Sequence, residues 1–382
     1  MASSDPLDFS KYDFPRELWF IKPTSEIVYK SMILVPIVLF GLIGNSILLN
    51  IILKNRALHT PTNFLLANMI SADILTLIFC PTIYICSDYF QNFLLGPIGC
   101  KMDGSLQVTF LITAVLNLCA VSYDRLTAIV LPRESRITVR VARTIICLTW
   151  LAGLAIGVPF TIFRNYKERH WRNYNEKYCV ENLAILPIYW HIILLLLVWV
   201  PLAVMIVCYS TIFLKLERYE QRVLKRETSI TVSYKRKVAR MLFIIVIIFI
   251  ILHLPFTALI YLRTKLLQNL VMNQLEGGFY LLTCVSHFSL YLNATANPII
   301  YGLANDNFRR AYHQTPILPN LFTRWIQEFK QLHQKKDTFE KIPRQPIQHF
   351  IHRPTLETAL SPITSKIDAN FSQKQSIGNE EN

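Results

Sequence analysis

Seven stretches of the chain, 31–53, 62–86, 104–130, 144–163, 186–214, 238–262 and 278–303, are each long and apolar enough to bury a helix in hydrocarbon. About 20 apolar residues are needed to cross the core of a bilayer. Backbone groups in lipid must find partners within their own segment, so stretches of this length are expected as helices. The roughly 10-residue alternating segments of a membrane barrel are absent. The first, fourth, fifth and seventh stretches contain no Asp, Glu, Lys or Arg. Composition agrees: 52% of residues are hydrophobic and only 17% charged, with mean hydropathy +0.34. The expected fold is an all-α membrane protein, a seven-transmembrane helix bundle spanning 31–303.

The formal net charge of +14 would suggest nucleic acid for a soluble chain, but in a membrane protein it points to basic inner loops and anionic lipid. The connections after the first, third and fifth stretches are basic, and the one after the second is nearly uncharged. By the positive-inside rule a multi-pass chain is expected with its N-terminal segment, 1–30, outside and its C-terminus inside. The connection after the fourth stretch breaks the trend with Arg164, Lys167, Arg169, Arg172 and Lys177. Residues 1–30 lack the pattern of a cleavable signal peptide, so the first stretch is expected to act as a signal anchor. Phe308, Ala311 and Tyr312 share one face with Arg309 and Arg310 beside it, predicting a short amphipathic helix at 304–314 on the inner leaflet. Apolar residues at helical spacing recur over 318–332, and 315–382 reads as a largely disordered cytoplasmic tail. The eight cysteines show no metal-ligand spacing. No nucleophile–base pair suggests an enzyme.

Ionisable groups inside spans default to a functional reading. Asp73 lies midway along the second stretch, and Asp124–Arg125 close the third. Around them each stretch carries a mark: Gly44-Asn45; Leu66-Ala67-Asn68 with Asp73; Cys100 and Ser122-Tyr123-Asp124-Arg125; Trp150 and Pro159; Pro201 and Tyr209; Phe249 and Pro255; Asn293 and Asn297-Pro298-Ile299-Ile300-Tyr301. With this set, one mark per span and in this order, the chain resembles the rhodopsin-like (class A) G protein-coupled receptors over 31–314.

That resemblance implies a cell-surface receptor that activates heterotrimeric G proteins by outward movement of the sixth helix, with arrestin and receptor kinases as tail partners. It implies that Asp124 holds Arg125 at rest, and that Tyr209, Phe249, Pro255, Asn297, Pro298 and Tyr301 transmit the change. It also implies a Cys100–Cys179 disulfide. In similar receptors an acid at Asp73 with Asn293, Asn297 and a third-span serine binds sodium. Ala114 stands at the serine position, so only a weakened sodium site is expected.

The ligand class follows from what is missing. The seventh stretch has no lysine for retinal, and Gln107 replaces the aspartate of amine receptors. Gln107 with His287 is the pair seen in receptors similar to those for neuropeptide Y, neuropeptide FF and orexin, and suits an amidated peptide end. Tyr84, Tyr189, Tyr291, His253, Phe256 and Ile260 complete the expected pocket. Three further departures stand out: His253 and Phe93 replace tryptophans, and Leu126 replaces a tyrosine-like residue. A histidine at the pocket floor is expected to titrate near neutral pH where water reaches it. Two alternative readings are a divergent receptor that couples weakly or not at all, and a transporter. The transporter would need an internal repeat and several midplane charges, and neither is apparent.

Overall fold

A computed structural model describes residues 8–14, 23–90, 92–130, 137–223, 229–269, 276–304 and 310–311. Each apolar stretch becomes helical, and most of the helices run past the sequence limits at one end or both, because a helix continues past the hydrocarbon. The first is α1 (Thr24–Lys54). The second, α2 (Pro61–Asp88), starts where the Thr60 hydroxyl accepts the Asn63 N–H at 3.4 Å and Pro61 fills the first turn. The third is split into α3 (Gly96–Met102) and α4 (Ser105–Ile129) by Gly104, whose φ of +70° only glycine adopts without strain. The fourth, α5 (Val139–Phe163), is capped by Thr138. The fifth runs from α6 (Leu186–Ile192) through a π-helical turn, Ile193–Trp199, into α7 (Val200–Val223). Pro201 offers no N–H and crowds the carbonyl four residues before it, so the turn ahead of it is where the ladder widens. The sixth and seventh are α8 (Ser229–Asn269) and α9 (Glu276–Ala304).

Among the described residues six helical stretches are apolar enough to cross a membrane. The exception, α9, has 29 residues, about 43 Å of helix. Its lower hydropathy comes from polar groups such as Ser286, Thr295 and Asn297, all buried inside the bundle. The helices close in the order α1, α2, α4, α7, α8, α9, with α5 outside α2 and α4. In its most apolar window the α3–α4 span is 61% buried, against 22% for α1 and α5, so α4 is the central pillar. The outside is apolar, with Met32, Phe40, Leu151, Ile162 and Val207 more than 60% exposed.

Without a hydrophobic drive between helices in lipid, close approach and polar links hold the bundle. Gly153 and Gly157 let α5 lie directly on α4: a Cβ on Gly153 would meet the Thr109 carbonyl at 2.7 Å. Asn68 gathers three spans, donating to Asn117 Oδ1 at 2.9 Å and to Thr149 Oγ1 at 3.3 Å, and accepting from Trp150 Nε1 at 2.7 Å. Asn45 donates to the Ala294 carbonyl at 3.0 Å, tying α1 to α9.

Between α5 and α6 lies an antiparallel hairpin, β1 (Arg164–His170) and β2 (Asn175–Glu181). Cys179 is bonded to Cys100, with Cα atoms 5.6 Å apart. Phe93 is buried and its N–H donates to the Lys177 carbonyl at 2.9 Å, so the α2–α3 connection lies along β2. The hairpin explains the exception to the charge trend, because three of its arginines have acid partners. Arg164 pairs with Asp103 and Glu181, Arg169 with Glu176, and Arg172 with Asp13. Residues 8–14 lie on the hairpin tip: Phe9 and Phe14 pack against Trp171, and Phe14 N–H donates to Asn173 Oδ1 at 2.8 Å. Arg310 and Ala311 are helical. The rest of the expected amphipathic helix, and the tail 315–382 with its 318–332 stretch, lie outside the described residues.

Candidate functional site

Between the hairpin and the helix ends lie three adjoining cavities, of about 70, 230 and 250 Å³, and Asp103 borders all of them. The smallest is walled by Tyr84, Gln107, His287 and Tyr291, which α2, α4 and α9 bring together. The second shares Gln107 and His287 and adds Trp190, Phe256, Ile260 and Arg263. Gln107 has no hydrogen-bond partner among the described residues. His287 Nδ1 lies 2.8 Å from the Thr283 carbonyl. A carbonyl only accepts, so Nδ1 carries the proton and Nε2 keeps an acceptor lone pair. Tyr84 stacks on His287 with centroids 4.6 Å apart, fixing the ring's plane.

Two expected pocket residues do not face these cavities. The Tyr189 hydroxyl donates to the Ile156 carbonyl at 2.8 Å, which turns the ring towards α5. His253 is 3% exposed, stacks on Phe249 at 3.8 Å, and donates from Nδ1 to the Phe249 carbonyl at 2.8 Å. It is sealed from water, so the condition for titration near neutral pH is not met.

The sequence carries no signal for Asp103, which lies in the break between α3 and α4, just before Gly104. Sequence reasoning also missed Trp190 and the partners of Arg164. That guanidinium joins Asp103 to Glu181, and Arg263 from α8 donates to the other oxygen of Glu181 at 2.7 Å. Burial pushes the Glu181 carboxyl up, but Arg164 and Arg263 together pull it below its ordinary value. Burial also opposes the Arg164 charge, and the two carboxylates outweigh it. Lys30, buried on α1, pairs with Glu26 at 2.9 Å and Asp88 at 3.0 Å and bonds the Tyr280 hydroxyl. It clasps α1, α2 and α9 at the cavity end.

At the opposite end Arg125 pairs with Asp124 and bonds the Thr62 hydroxyl, which itself donates to Asp124 at 2.6 Å. The arginine is thus held against α2. Tyr209 and Tyr301 are both buried, and Ser122 Oγ and the Tyr209 hydroxyl are 3.0 Å apart. Phe249 is buried in the core, Pro255 interrupts α8, and Pro298 of α9 comes so near Gly44 that a Cβ there would lie 2.8 Å from its ring.

Asp73 accepts from Asn297 Nδ2 at 2.7 Å. Asn297 therefore presents a donor to the acid, Asn293 bonds neither among the described residues, and Ala114 supplies no oxygen. A hard cation takes several oxygen ligands. This donor set does not fit one.

The pattern of the 7 transmembrane receptor (rhodopsin family) matches residues 44–301. Neuropeptide FF receptor 2 of Mus musculus is 27% identical over 71% of this chain and 68% of its own. Neuropeptide FF receptor 1 of Homo sapiens is 29% identical over 72% and 67%, and neuropeptide Y receptor type 2 of Homo sapiens 27% over 72% and 73%. A seven-helix bundle with its marks in order, a disulfide-pinned hairpin over a cavity, and an arginine held at the far end thus place the chain in the rhodopsin family of seven-transmembrane receptors, which are not enzymes.

Proposed function

We propose that this receptor binds an extracellular peptide with an uncharged, amidated end and passes the signal to heterotrimeric G proteins by outward movement of α8. The observation that carries the reading is the pair at the cavity floor, Gln107 with its amide unpartnered among the described residues and His287 with Nε2 accepting. A primary amide can lie side by side with the Gln107 amide, donor to acceptor and acceptor to donor, and give its second N–H to His287. Neuropeptide receptors among the relatives favour the same ligand class. The basic α1–α2, α4–α5 and α7–α8 connections favour an orientation with the hairpin outside the plasma membrane and Arg125 facing the cytoplasm, where the G protein, arrestin and receptor kinases act.

The test is a screen of amidated neuropeptides on cells expressing the chain, read by calcium and cyclic nucleotide, with Arg125→Ala as control. A response that is lost with Arg125→Ala is expected. Silence from every amidated peptide, with no basal activity sensitive to Arg125, overturns the reading. That outcome favours a receptor that couples weakly or not at all, the alternative that Leu126 and His253 keep open.

A further inference from the structure

We propose that Arg263 and Glu181 form an ion-pair latch across the cavity mouth, which governs access to Gln107 and is released when α8 moves. The inference rests on the cavity being the ligand site only for its purpose; its geometry stands by itself.

The four charges Asp103, Arg164, Glu181 and Arg263 make one chain across three elements, but their links are unequal. Arg164 is 9% exposed and holds two carboxylates, one with each end of its fork. Losing it would leave Asp103 without its cation and Glu181 held by Arg263 alone, which is unfavourable in a half-dry site. Arg263 is 36% exposed and, among the described residues, makes one bond, to Glu181 Oε2. When it leaves, Glu181 still has Arg164. The Arg263 link is therefore the one that opens without orphaning a buried charge.

The mechanics point to the same link. Glu181 is fixed: it pairs with Arg164 across the hairpin register, two residues from the Cys179 disulfide. Arg263 lies eight residues beyond Pro255, about 12 Å along a helix that Pro255 weakens. A swing of α8 about that point moves Arg263 while Glu181 stays. Arg263 and Arg164 border the same cavity as Gln107 and His287, so closing the pair narrows the route to them. The latch thus slows entry to the cavity and escape from it, and joins occupancy to the position of α8.

Access can be read without any ligand. In a background with Cys80, Cys86 and Cys284 replaced by alanine, Gln107→Cys is labelled on intact cells with methyl methanethiosulfonate. This reagent is neutral, so the local potential acts on its rate only through the fraction of thiolate, which loss of the Arg263 charge lowers; acceleration therefore reports access. Arg263→Gln should accelerate labelling about five-fold, the scale of a partly exposed ion pair. Arg263→Glu, which repels Glu181, should be at least as fast, and Arg263→Lys should remain within about two-fold of the parent. Surface expression by an epitope tag checks that each variant folds. Equal rates for the parent, Arg263→Gln and Arg263→Glu overturn the latch, and so does an Arg263→Lys variant as fast as Arg263→Gln. The peptide screen can fail while this ordering holds, and the reverse, so the two proposals fall separately.

Discussion

Arg125 shows how one side chain sets the resting balance. It has a charged partner, Asp124, and a hydroxyl partner, Thr62, and both lie on the same side of it. Charge-assisted hydrogen bonds contribute about 1.5–3 kcal/mol each. Asp124→Asn keeps the shape and removes the charge, so basal signalling should rise by about ten-fold in the active-to-resting ratio. Unchanged basal cyclic nucleotide and calcium levels would refute this. His253 gives the opposite expectation. Its N–H is spent on Phe249 and its ring is covered, so the ligand-response pH profile of His253→Phe should overlay that of the unaltered receptor. A profile displaced near pH 6–7, where histidine ordinarily titrates, would show that water reaches it after all.

At the scale of elements, helices were far more legible than the cavity they build. An apolar run announces a span, because that signal is local, while the starts at Thr60 and Thr138 lie ahead of the apolar limits and were not read from it. The hairpin was hidden because its strands carry Lys, Glu, Arg or Asn at nine of their fourteen positions, with no apolar alternation to betray pairing. Its order comes from the Cys100–Cys179 bond and from cross-strand ion pairs, which only tertiary structure assembles. Asp103 was missed for a related reason: its sequence neighbours, Lys101 and Gly104, suggest a loop, and its role depends on Arg164, 61 residues away. The α4–α5 contact carries its own prediction. Gly153→Val would drive a branched side chain into the Thr109 carbonyl and should destabilise the bundle by about 1–3 kcal/mol, seen as a lower melting temperature of the detergent-solubilised protein. Gly278→Val, at a position with nothing within 4 Å, is the control and should melt as the parent does.

Across the whole molecule, the candidate ligand cavity and Arg125 lie at opposite ends, and Asp73 with Asn297 makes a buried polar link between α2 and α9. There Asp73 accepts from the Asn297 amide, and Ala114 supplies no oxygen. Agonist response should therefore be insensitive to replacing sodium by potassium, and Asp73→Asn should remove no sodium effect. A strong sodium dependence abolished by Asp73→Asn would reverse this. The overall fold was readable because membrane burial imposes one rule on every span. The direction of each inward side chain was not, as Tyr189 illustrates: one carbonyl on α5 decides where its ring goes.

The contact of residues 8–14 with the hairpin tip has a consequence for anyone raising reagents to this protein. Phe9, Asp13 and Phe14 present one face to Trp171, Arg172 and Asn173, so segments 159 residues apart form a single composite epitope. An antibody elicited by the isolated N-terminal peptide that grips Phe9 or Phe14 would find them half-buried against the hairpin in the folded receptor, whereas one that reads Lys11 and Tyr12 would find them exposed.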